Sequence, residues 1–119
     1  MYISERFTLK SLYIWRTTIE DWITLGKVHI VHYENVLEKR IFELRKILNF
    51  LDIPIQNWRL NCVKYCNVDM YLRKNGTKPE KSPYSRFLKN HIWKNIFEVN
   101  DMLIRNGHEQ LPLDKYTVP

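Results

Sequence analysis

The sequence predicts an α/β chain, mostly helical, with one clear strand over 27–33. Two observations carry this expectation. The run KVHIVHY sets β-branched Val28, Ile30 and Val31 close together and passes into a helical pattern with almost no linker, as in a β-α unit of a parallel sheet. Most of the remaining chain carries apolar residues at steps of three and four, the helical repeat.

The first helix is expected over 8–25. Leu9, Leu12, Trp15, Ile19, Trp22 and Ile23 stack on one face there, and Gly26 supplies a residue that tolerates positive φ as its stop. The strand over 27–33 follows. The next helix is expected over 36–51, with Leu37, Ile41, Leu44, Leu48 and Leu51 as its apolar stripe and Leu44 as a core position. Asn35 and Glu38 have the character of a capping box. Asp52 suits a left-handed exit, and Pro54 prevents continuation.

A shorter helix is expected over 56–66, around Trp58, Leu60, Val63 and Cys66. Residues 67–86 carry Asn67, Asp69, Asn75, Gly76, Pro79 and Pro83, which break regular structure, and five basic residues, which makes a basic loop. A final helix over 87–106 turns Phe87, Ile92, Ile96, Val99, Leu103 and Ile104 inward and ends at Gly107. The tail, 108–119, is expected to be extended. One strand cannot satisfy its own backbone if buried. Either its neighbours lie outside this chain, or the fold is helical and the strand is absent.

With 119 residues the chain is one domain or part of one. Its net charge of +6 favours anionic partners such as nucleic acid, a phosphorylated nucleotide, a sulfated glycan or an acidic membrane, and composition does not choose among them. No apolar run approaches the length of a membrane span, and no secretory leader is visible. Cys62 and Cys66 are four residues apart, a poor disulfide spacing on a regular helix, so two buried thiols are expected. No metal site is expected: His29 and His32 would point to opposite faces of the strand, and no His or Cys completes a zinc set near the two cysteines.

The order of β-branched strand, Tyr33-Glu34, amphipathic helix and FLDIP at 50–54 resembles the C-terminal half of the sulfotransferases. These enzymes move a sulfuryl group from 3′-phosphoadenosine 5′-phosphosulfate (PAPS) to a hydroxyl or amine. The segment MYLRKNG at 70–76 looks like the family's FxRKG nucleotide loop, with Asn75 standing where a glycine is usual. The ending PYSRFLKNHIWKNIFEVNDMLIRNGHEQLP is similar to the carbohydrate sulfotransferase branch that includes the WSC-domain sialate O-sulfotransferases, in which a Pro-Tyr pair precedes a helix ending VNxxLxxxGxxxLP.

The resemblance implies the C-terminal portion of a P-loop-like, three-layer sulfotransferase fold, forming a partial domain over 1–119. It implies PAPS as donor and a glycan-like acceptor, with no metal and no nucleic acid, and a place in the Golgi. By the same resemblance Tyr33 lies near the adenosine, Arg73 contacts the 3′-phosphate, Lys74 adds charge, and Gly76 lets the backbone approach. Arginine suits that task because its guanidinium binds phosphate through two parallel hydrogen bonds. The glycine-rich phosphosulfate loop has no counterpart here, since Gly26, Gly76 and Gly107 are scattered, and the family's catalytic base is expected upstream. No residue of this chain is therefore expected to be catalytic. The alternative reading is a basic, mostly helical interaction module that binds nucleic acid or an acidic partner, supported by charge and by Tyr71, Tyr84 and Phe87 among basic residues.

Overall fold

The computed structural model describes residues 4–65 and 82–117. Five α-helices account for most of them: α1 Glu5–Thr24, α2 Tyr33–Glu38, α3 Arg40–Phe50, α4 Asn57–Lys64 and α5 Arg86–Arg105, followed by a short 3-10 turn at Leu113–Lys115. Helix makes up 69% of the structure and no strand occurs among the described residues, which overturns the α/β, three-layer expectation. Residues 27–32 carry no regular secondary structure, although His32 is extended at φ −92° and ψ 127°. The physical reason is that a strand is a property of a pair. β-branched residues favour extended backbone, but the ladder needs a neighbour, and the described residues provide none.

The chain divides into two compact units, Met1–Ile30 with Pro79–Pro119, and Val31–Lys78. In the first unit α1 packs on α5. The Ser85 hydroxyl donates to the Glu5 carboxylate at 3.4 Å, and Arg16 pairs with Glu98. The two contacts span nearly the same sequence separation, 80 and 82 residues, so the helices run parallel. Glu5 thus lies at the N-terminal end of both helices, where a carboxylate complements the exposed N–H groups. Ser85 also caps α5, its oxygen accepting the Leu88 N–H at 3.2 Å.

The core of this unit is built on α5. Ile96, Val99, Leu103 and Leu111 are buried together, with Ile19 and Ile23 of α1 against them. The α5 stripe differs from the expected one at its ends: Leu88 is buried, whereas Phe87 and Ile104 are about half exposed. On α1, Ile19 and Ile23 face inward, while Trp15 and Trp22 do not. The tail also departs from expectation. Leu111 is buried, Leu113 and Tyr116 pack on the core, and a 3-10 turn at Leu113–Lys115 interrupts a tail whose Tyr116 is extended.

In the second unit the expected helix over 36–51 is two helices. Lys39, at φ −129° and ψ 48°, separates α2 from α3. Helix α2 starts at Tyr33, ahead of the expected start, with no side-chain cap at His32, so Asn35 lies inside the helix and not at its N-cap. Helix α3 ends as expected. Asp52 takes positive φ, the Asp52 N–H bonds the Asn49 carbonyl, and the Ile53 N–H bonds the Leu48 carbonyl at 2.9 Å. This is the paired closure of a Schellman motif. Gly107 ends α5 in the same way, with bonds from Gly107 to Ile104 and from His108 to Leu103.

Leu44 is half-buried; the buried position of α3 is Glu43, whose carboxylate accepts from Lys46 Nζ at 3.1 Å. Leu60 of α4 is buried, Trp58 is exposed, and Cys62 is an exposed free thiol, against the expectation of burial. Cys66 lies outside the described residues.

Candidate functional site

Of the four nucleotide-site candidates, the structure describes Tyr33. Arg73, Lys74 and Gly76 lie outside the described residues, as do residues 67–81 of the basic loop expected over 67–86. Tyr33 is the first residue of α2 and is 63% exposed, so its ring is available to a ligand. The residue before it, His32, is buried, and its carbonyl accepts the N–H groups of Asn35 and Val36. The chain is thus anchored just ahead of Tyr33, and the ring projects from the start of a helix. Glu34 sits in the first turn of α2, where its charge complements the helix dipole.

One helical turn beyond Tyr33 lies Leu37, and residues at that spacing share a helix face. Leu37 lines a depression of about 270 Å³ together with Lys39, Arg40, Phe42 and Lys64. Three cations against the single carboxylate of Glu38 make its rim basic. Phe42 is exposed and carries Lys46 Nζ 4.5 Å from its ring centre. Sequence reasoning missed this group, because Lys39 and Arg40 look like the outer face of one continuous helix. The interruption at Lys39 brings them into the wall of a depression. An exposed aromatic ring can stack a base, and the cations of such a rim can neutralise an anion.

The VNxxLxxxGxxxLP segment has a structural account at every fixed position except its final proline. Val99 and Leu103 are buried, Asn100 holds the Leu111 N–H at 2.7 Å, Gly107 takes φ 75°, and Leu111 closes the core. These residues dock the tail on α5 and leave no group for chemistry.

Among the described residues no group of three or more His, Cys, Asp or Glu side chains converges to hold a metal ion. No helix among them is long and apolar enough to cross a membrane. No known protein-family model matches the chain. No solved structure matches it either.

Proposed function

We propose that the chain is the C-terminal part of a sulfotransferase that transfers a sulfuryl group from PAPS to a carbohydrate or similar hydroxyl acceptor. Its own role is to hold the nucleotide end of the donor, and it is inactive by itself. The observation that carries this reading is the placement of Tyr33. The tyrosine of the sulfotransferase-like Tyr-Glu pair stands exposed at a helix start, one turn from a depression rimmed by Lys39, Arg40 and Lys64. Sulfuryl transfer depends on positioning and charge neutralisation, so a nucleotide clamp is a separable task within it.

Calorimetric titration of this chain with 3′-phosphoadenosine 5′-phosphate and with adenosine 5′-phosphate tests the reading. Arg73→Ala is expected to weaken the 3′-phosphorylated nucleotide by about 1.5–3 kcal/mol, the range for a hydrogen bond to a charged group, and to leave the other almost unchanged. Tyr33→Ala weakens both, because both carry adenosine. No binding of either nucleotide by the wild-type chain, or equal losses for the two at Arg73, sinks it.

The helical structure, without strands among the described residues, favours a second reading: a basic interaction module for nucleic acid or an acidic protein. Binding to a single-stranded oligonucleotide that weakens steeply with salt and ignores adenosine nucleotides would select it.

A further inference from the structure

The face of α1 that points away from α5 carries a line of exposed apolar residues. At about 100° per residue, Phe7, Ile14 and Leu25 fall on one line, with Ser11 and Thr18 beside them and Trp15 and Trp22 along one flank. Phe7 is 67% exposed, Ile14 50%, Trp22 59% and Leu25 78%. Leu25 belongs to this line because its backbone remains helical at φ −65° and ψ −14°. The stripe is roughly 27 Å long.

The opposite flank of the stripe carries Lys10 and Asp21, both exposed. They lie at nearly the same angle around the helix, roughly 40–60° from the line through Phe7. Among the described residues neither side chain forms an ion pair. When two copies of a helix pair antiparallel about a twofold axis, residues of the same flank meet across the interface. An axis midway between Trp15 and Arg16 brings Lys10 of each copy level with Asp21 of the other. The same axis brings Phe7 level with the Leu25 end of the partner and sets Ile14 close to the centre. The apolar line and the charge pattern therefore share one centre of symmetry, within about half a residue.

We propose that this face of α1 binds the same face of a second copy of the chain, as an antiparallel, twofold-symmetric pair. Its apolar contacts come from Phe7 against the partner's Leu25 at each end and from Ile14 near the axis. Its register is set by two equivalent pairs, Lys10 to Asp21 and Asp21 to Lys10. A parallel arrangement does not bring opposite charges of this flank together. One helix pair buries less than the roughly 1,200 Å² of a standard interface, so the association is weak and concentration-dependent.

Sedimentation velocity of the 119-residue chain from about 5 to about 300 µM, the range suited to a small interface, reads the equilibrium directly. The expected result is a monomer–dimer equilibrium. Lys10→Glu and Asp21→Lys each weaken it about tenfold, since symmetry turns two attractions into two repulsions. The double charge swap restores it to within about twofold. Ile14→Glu abolishes the dimer while the far-ultraviolet circular dichroism spectrum stays helical. A monomer at every concentration overturns the proposal and leaves the face to a different protein. A dimer indifferent to charge reversal, or singles not rescued by the double swap, also overturns it, because the contact then lies elsewhere.

Discussion

The side-chain oxygen of Asn100 accepts the backbone N–H of Leu111 at 2.7 Å, and both residues are buried. A polar side chain in the middle of the apolar face of α5 thereby ties the tail to the helix. Asn100→Ala leaves a buried N–H without its partner, which costs about 1–3 kcal/mol. Urea unfolding of the two chains measures the loss. A cost within surface noise would mean that the tail is not docked.

Two leucine-sized residues near the end of α5 separate core from surface. Leu103 is 1% exposed and Ile104 51%. Leu103→Ala is expected to cost about 2–5 kcal/mol, from lost burial and the cavity left behind. Ile104→Ala is expected to stay within about 0.5 kcal/mol. Thermal melts of both variants rank them, and a reversed order would rotate α5 about its axis.

In the second unit the contrast lies between Leu60, which is buried, and Leu44, which is half-buried. Leu60→Ala is expected to cost about 2–5 kcal/mol. Leu44→Ala removes less buried surface and should cost roughly 1–2 kcal/mol. Equal losses would restore Leu44 to the core that its sequence position suggests.

Ser85 offers a local check on α5. Its hydroxyl oxygen takes the Leu88 N–H, so Ser85→Ala should cost about 1 kcal/mol and Ser85→Gly only a few tenths. Denaturant midpoints at constant slope suffice to read this difference. If Ser85→Ala is neutral, water replaces the cap.

The C-terminal stops of helices were the most legible part of this chain, because they depend on local backbone preference. Gly26, Asp52 and Gly107 all take positive φ where the sequence calls for stops. The inward faces were less legible. Periodicity shows that Trp15 and Trp22 share a stripe with Ile19 and Ile23, but the neighbouring helix decides which edge it covers. Glu43 and Asn100 escaped an apolar pattern because they are polar and buried. The strand over 27–33 failed for want of a partner, which no local propensity supplies. Of the candidate site, the motif singled out Tyr33 and the structure exposes its ring, whereas the basic rim depends on the break at Lys39.

The parallel pairing of α1 with α5 joins residues 82 positions apart, as in Arg16 and Glu98. During synthesis α1 therefore emerges long before the helix that covers it. The segment Val31–Lys78, whose helices pack on near neighbours in sequence, can order first. The first unit must wait, with Ile19 and Ile23 uncovered, until α5 leaves the ribosome. Lengthening a flexible part of the connection changes its closure entropy by only about 0.6 kcal/mol per doubling. Insertions within the connection should consequently leave the finished unit nearly as stable. Premature termination before α5 would instead leave Ile19 and Ile23 of α1 without the helix that covers them.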